Sequence, residues 1–258
     1  MRVLKVVMVL IYAFLFAPAV VIIGTSFTRT GYIIFPPRGL TLKWFVKLWE
    51  MKNFHYAFFF SVEIALITTI LSVVIGLLIS FALVRFQFRS KAFLQLLFLS
   101  PVVTPPLLIG FALLHLVVVV LHQSPSSFFF VIGHLLVTLP FSIVIISEAL
   151  RRVDKNLEDA AKTLGSTQLD VLWFITLPSI KFGIIAAGAI SSLLSFNQVP
   201  ISLMLARIDL HTFPTEIFNY IRYASDPSLT AISTLFIFLN LILIAIGGFS
   251  IRKIPWQQ

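Results

Sequence analysis

The sequence predicts an all-α membrane protein with six transmembrane helices, and three observations carry that expectation. Hydrophobic residues make up 59% of the 258-residue chain, and its mean hydropathy is +1.04. Only 11% of the residues are charged, where a soluble domain carries about a quarter. The apolar residues also run on for about 20 positions at a time, the length at which a helix crosses a bilayer. They lack the period-two alternation of barrel strands. A chain with so few charges cannot clothe its own surface in water, so its solvent is lipid.

The first apolar run, residues 6–27, follows Arg2 and Lys5 in the manner of a secretory signal. It is too long for a signal core of about 7–15 residues, and no Ala-x-Ala cleavage site follows it. It is therefore expected to remain as the first span. Further spans are expected at 58–84, 93–121, 128–147, 183–206 and 229–249, all within one transmembrane domain covering 1–258. Between the first two, Pro36-Pro37 breaks the chain. Leu42, Phe45, Val46 and Trp49 then recur at i, i+3, i+4, i+7 with Lys43, Lys47 and Glu50 opposite, which predicts either a short amphipathic helix at the membrane interface or a tether with a helical turn. The third span carries Pro101, Pro105 and Pro106 near its start. They lack amide donors and bend helices, so this stretch is either a flexible cavity wall or a kink made for packing.

Charge placement orients the spans. With the N-terminus inside, Arg2, Lys5, Arg85, Arg89, Lys91, Arg151, Arg152, Lys155, Lys162, Lys181, Arg252 and Lys253 fall on the cytoplasmic side. Arg29, Arg38, Lys43, Lys47, Lys52, Arg207 and Arg222 fall outside, which accounts for all 19 basic residues. The excess has the sign that the positive-inside rule requires and places both termini in the cytoplasm. The net charge of +9 is thus a topology signal. No soluble domain is left to hold nucleic acid.

One polar loop carries the functional signal, residues 148–182. Asn156 is placed to cap a helix, with Asp159 three residues later. Leu157, Ala160, Ala161 and Leu164 form an apolar stripe at i, i+3, i+4, i+7. Gly165 follows in the position of a C-terminal cap, and Thr167 caps a second helix expected to end near Pro178. A helix this short is marginal in water by itself. Its stripe fits a partner surface and its own bundle equally well.

Asp159-Ala160-Ala161, three residues, Gly165, nine residues, then Ile175-Thr176-Leu177-Pro178 resembles the cytoplasmic signature of type I ABC importer permeases. In that family the signature is Glu-Ala-Ala, three residues, Gly, nine residues, Ile-x-Leu-Pro; Asp159 stands here for the Glu, with Glu158 beside it. The six-span layout, Phe35-Pro36-Pro37 and the Ser100-Pro101 to Pro106 stretch are most similar to the polyamine (spermidine/putrescine) branch. The resemblance implies a binding-protein-dependent permease of the bacterial inner membrane. In it, Glu158, Asp159, Ala160, Ala161, Leu164 and Gly165 would belong to a coupling helix between spans four and five. It also implies a second permease chain, two ATPase subunits that carry ATP and Mg, and an extracytoplasmic substrate-binding protein.

No motor is expected within this chain. The nearest approach to a phosphate-binding GxxxxGK[ST] loop is Gly183 to Gly188, where Ala189-Ile190 replace Lys and Ser/Thr. Those glycines suit close helix packing instead. Cysteine is absent, and His55, His115, His122, His134 and His211 show no paired metal-ligand spacing. No catalytic or metal site is expected, and no cofactor. Polar residues within spans face a bundle interior or a water path. Ser195, Asn197 and Gln198 in the fifth span and Glu63 in the second are therefore the candidate pathway residues, helix–helix hydrogen bonding being the other use of the serines. Related polyamine permeases often place Asp near Asn197 and Gln198, so this chain departs from them where a cationic substrate would need acids. Two other classes compete. A secondary transporter driven by an ion gradient needs intramembrane acids or repeated halves, and only Glu63 qualifies. A membrane enzyme needs clustered acids, His or Lys at the headgroups, and the loop carries no such motif.

Overall fold

The computed structural model describes residues 2–223 and 226–252, and every regular element among them is helical. In chain order these are α1 (Arg2–Ser26), α2 (Lys43–Glu50), α3 (Lys52–Arg85), α4 (Lys91–Val103) and α5 (Pro106–His115), the last prolonged by a π-helical turn, Leu116–Val120. Then follow α6 (Ser127–Arg151), α7 (Lys155–Thr163) and α8 (Gln168–Val171), a second π turn at Leu172–Thr176, α9 (Leu177–Phe196), α10 (Val199–Leu205), α11 (Phe213–Tyr223) and α12 (Ser228–Arg252). Lys253, one of the inside charges, lies outside the described residues.

Four helical stretches among the described residues are long and apolar enough to cross a membrane: Leu4–Ser26, Lys52–Arg85, Ser127–Arg151 and Gln168–Phe196. The expected third span is instead two helices, α4 and α5, bent by 98°. The bend sits where Thr104 and Pro105 turn extended, with ψ of 126° and 127°. The tandem Pro105-Pro106 supplies no amide to continue the ladder, whereas Pro101 is accommodated inside α4. Taken as one span, the pair would make a fifth. The expected sixth coincides with α12.

The expected fifth span, 183–206, is displaced toward the loop. The helix capped by Thr167 does not end near Pro178 but continues to Phe196. The π turn makes this possible, because Leu177 N–H bonds back to the Leu172 carbonyl, five residues earlier. The α-helix then restarts with Pro178 in its first turn, where a missing amide costs nothing. At the other end the chain leaves helix at Asn197–Gln198, and α10 begins again with Pro200 in its first turn. Residues 199–205 are thus a separate helix.

The chain forms two compact units. Among the described residues the first comprises 2–59 with 213–223 and 226–242, the second 60–212 with 243–252. In the first unit α2 is seated by Trp44 and Leu48, which are buried, and Trp44 Nε1–H donates to the Thr28 carbonyl at 2.7 Å. Of the predicted stripe, Leu42, Val46 and Trp49 face outward, while Phe45 is half-buried against Phe27. Packing is decided by a tryptophan that can satisfy its N–H when buried, so the longer stripe is not the buried one. Phe54, Phe58, Phe213, Tyr220 and Phe236 stack edge-to-face or tilted around α11.

In the second unit α6 packs along α9 and α10 packs along α5. Gly183 lets α9 approach α6 so closely that a Cβ there would lie 2.5 Å from Ala149 Cβ, the small-residue packing expected of it. Phe60, Ile64, Leu113, Phe130, Ile201 and Leu205 belong to one apolar core, and Ile146, Leu150, Val153, Ile180 and Ala187 to another nearer the polar loop. Ser142 Oγ lies 2.8 Å from both Ser72 Oγ and Ser191 Oγ. This buried node ties α3, α6 and α9 where neither lipid nor water can serve those hydroxyls.

Candidate functional site

The polar loop is built as two capped helices joined by a tight turn. The N-cap of α7 is Asp154, not Asn156: its carboxylate accepts the Asn156 amide at 2.9 Å and the helix starts at Lys155. Asp159 therefore has no capping role and pairs with Lys162 on the exposed surface at 3.0 Å. The C-terminus closes as expected. Gly165 N–H bonds the Lys162 carbonyl and Ser166 N–H bonds the Ala161 carbonyl, both at 3.0–3.1 Å. Gly165 has φ +93°, the left-handed conformation that this closure demands. Thr167 and Asp170 then exchange backbone and side-chain hydrogen bonds to start α8.

Within α7 the side chains divide sharply between outside and inside. Leu157 is 57% exposed and Leu164 88% exposed, with Ala160 exposed and Ala161 half-buried. The stripe of the sequence reading thus faces outward, away from its own bundle. Glu158 does the opposite. It is buried, accepting Arg85 Nη2–H at 2.7 Å and Thr176 Oγ1–H at 2.9 Å on the same Oε1. Glu158, expected to belong to the coupling helix, is the bolt that fixes α7 to the end of α3 and to the π turn before α9. The physical reason is that Arg85 needs a compensating charge once its side chain is only 9% exposed.

The pathway candidates separate as well. Ser195 is 2% exposed and shares a hydrogen bond with His134 Nδ1 at 2.9 Å, while His134 Nε2 engages Ser202 at the same distance. Through these two bonds His134 of α6 ties Ser195 of α9 to Ser202 of α10. This is a helix–helix hydrogen bond, the other use expected of that serine. Asn197 caps α9, its Nδ2 donating to the Leu193 carbonyl at 2.8 Å. Gln198 is 8% exposed, and its Nε2 has no hydrogen-bond partner among the described residues. Glu63 is exposed on α3 in line with exposed Leu66, Ile67 and Ile70.

Sequence reasoning missed Arg85, Thr176 and Ser202; His134, a histidine that falls within an expected span, is buried and hydrogen-bonded there. Arg85 was read only as a topology charge. The clue to Thr176 was its place in the π turn before Pro178. For Ser202 the signal was its place seven residues after Ser195, within reach of the other ring nitrogen of His134.

Residues 72–254 match the family model described as "Binding-protein-dependent transport system inner membrane component". The chain belongs to this family. It is thus a non-catalytic, multi-pass inner-membrane permease of the ABC importer class, and nothing supports the ion-gradient alternative. This permease is 26% identical to the spermidine/putrescine transport system permease protein PotC of Haemophilus influenzae, over 95% of both chains. It is 27% identical to the putrescine transport system permease protein PotI of Escherichia coli, over 89% of this chain and 84% of that one. Its fold is similar to a solved bacterial ABC transporter involved in alginate import, with TM-score 0.77, 14% identity, and 98% and 95% of the two chains covered.

Proposed function

We propose that this permease is one transmembrane domain of six spans, both termini cytoplasmic, forming half of the translocation pathway of a polyamine-type importer. It pairs with a second permease chain, receives substrate from an extracytoplasmic binding protein, and is driven by two ATPase subunits that bind ATP and Mg. α7 is the coupling helix. A single observation carries the reading: on a two-turn helix, both large apolar side chains point outward while the adjacent carboxylate is bolted inward. A helix this short gains little from its own hydrogen bonds, and exposed leucines outside the bilayer are costly unless a partner covers them.

Motion of a partner against Leu157 and Leu164 would reach α3 through Glu158–Arg85 and α9 through Glu158–Thr176. Polyamine-type cargo is supported by the likeness to PotC and PotI along nearly the whole chain. Exposed Glu63 on a membrane helix supports a pathway-facing surface, since a carboxylate facing lipid is costly. Buried Gln198 with a free amide adds a neutral donor. Asn197, engaged as a cap, contributes chiefly by ending α9.

The test is Leu157→Asp with Leu164→Asp in the assembled transporter. ATP-dependent uptake of radiolabelled spermidine and co-purification of the ATPase are expected to be lost, while membrane insertion is retained. Undiminished uptake with normal ATPase co-purification would remove α7 from the coupling role.

A further inference from the structure

The loop end of the second unit holds a cavity that the coupling reading does not use. The turn at residues 86–90, between α3 and α4, and the turn at 152–154, between α6 and α7, enclose an open space of about 590 Å³. Five cations line it, Arg85, Lys91, Arg151, Arg152 and Lys155, against the single acid Asp154. Asp154 is already engaged as the cap of α7. Arg85 is neutralised by Glu158, and Arg151 lies 3.6 Å from Glu148. Arg152 and Lys155 have no ion pair among the described residues.

A second, independent observation points to a ligand. The Nε of Arg85 is buried and without a hydrogen-bond partner, on a side chain only 9% exposed. An unbonded buried donor of a guanidinium is costly, and this guanidinium belongs to the cavity lining. Leu83, Val84 and Val153 add apolar surface to the lining. Leu83 and Val84 close the 34-residue helix α3, which places the cavity at the end of a membrane span. Concentrated positive charge mixed with apolar lining, at the end of a membrane helix, matches an anionic headgroup with its chains in the bilayer.

We propose that this cavity binds the phosphate group of an anionic phospholipid. A free phosphate shares the same chemistry, and the experiment separates the two. The full chain is purified in phosphatidylcholine–detergent micelles carrying phosphatidylglycerol, and retained lipid is counted by native mass spectrometry. The unaltered chain is expected to retain phosphatidylglycerol. Arg152→Gln with Lys155→Gln should weaken retention roughly 25-fold, each basic residue near an anionic surface contributing about fivefold. Arg89→Gln with Lys181→Gln, which removes equal charge outside the lining, should leave it unchanged.

Inorganic phosphate at millimolar concentration should not displace the lipid. If it does, and binds in a manner that depends on Arg152 and Lys155, the site stands with the free anion as its ligand. Equal retention by the unaltered chain and the Arg152/Lys155 variant overturns the proposal, as does equal loss in the charge-matched control. Loss of ATPase co-purification in the Arg152/Lys155 variant with lipid retention intact would assign the cavity to a protein partner and overturn it too.

Discussion

Glu158→Gln isolates the bolt that holds α7. The replacement keeps an acceptor for the Thr176 hydroxyl but withdraws the charge facing Arg85, 2.7 Å away. Breaking one side of a fully buried ion pair costs about 3–5 kcal/mol, and a hydrogen bond to a charged group is worth about 1.5–3 kcal/mol. Both side chains are 9% exposed, but Arg85 also lines an open cavity, so water can reach part of the stranded charge. The lower range therefore applies. A loss of about 2 kcal/mol corresponds to a roughly thirtyfold rise in local opening. Hydrogen–deuterium exchange of residues 155–163 in the purified permease would read this directly. Because paired removal leaves no stranded charge, Arg85→Met with Glu158→Met should recover most of the protection lost in either single variant. Exchange of α7 within twofold of the unaltered chain in Glu158→Gln, or simple addition of the two losses, would refute the reasoning.

Gly165→Ala should destabilise the loop by about 1–2 kcal/mol, the cost of the left-handed conformation for a residue with a Cβ. No atom lies within 4 Å of the added carbon, so Gly165→Asn, which tolerates that conformation better, should lose measurably less in a thermal melt. Gly183→Leu should lower the melting temperature and folded yield because even its Cβ would meet Ala149 at 2.5 Å; Ala149→Gly should rescue part of the loss. The Lys47–Asp226 pair gives a pH signature. Burial of Asp226 works to raise its pKa but is overcome by hydrogen bonds from Lys47, Ser228 and Tyr220, which hold it below the ordinary carboxylate value. Its contribution is present above the unfolded carboxyl pKa and is lost as pH falls through the folded one. The Lys47 ammonium, bonded to that carboxylate, is raised above 10.5, so its share is complete below 10.5 and is lost as pH rises through the folded value. The melting-temperature gap between the unaltered chain and Asp226→Asn should thus be full near neutrality and close in strong acid; a gap independent of pH would dismiss the pair as a stabilising contact.

The legible parts of this protein share one cause: local chemistry that no tertiary contact could reverse. Apolar runs of bilayer length without tandem prolines or a polar break are helical, so 128–147 and 58–84 are readable without coordinates. Gly165 was equally plain, because a glycine directly after an amphipathic turn closes a helix on backbone geometry alone. Where the chain had two local options, reading fell short. Pro178 looked like a terminator, yet a π turn carried the helix past it. Asp154 and Asn156 are both good caps, and the chain used the earlier one. Pro101, Pro105 and Pro106 are alike in sequence, but only the tandem pair became the 98° bend.

From composition and spacing alone came a lipid-embedded helical chain with one short, capped, amphipathic helix outside the bilayer, because hydropathy and capping act over a few residues. Only the tertiary structure decided the direction of each polar side chain, since that depends on which donor or acceptor arrives from a distant helix. Arg85 reached Glu158 across 73 positions of sequence and turned it inward; His134 claimed Ser195 from across 61. Leu157 and Leu164 found no such partner in their own chain, and they remain on the outside.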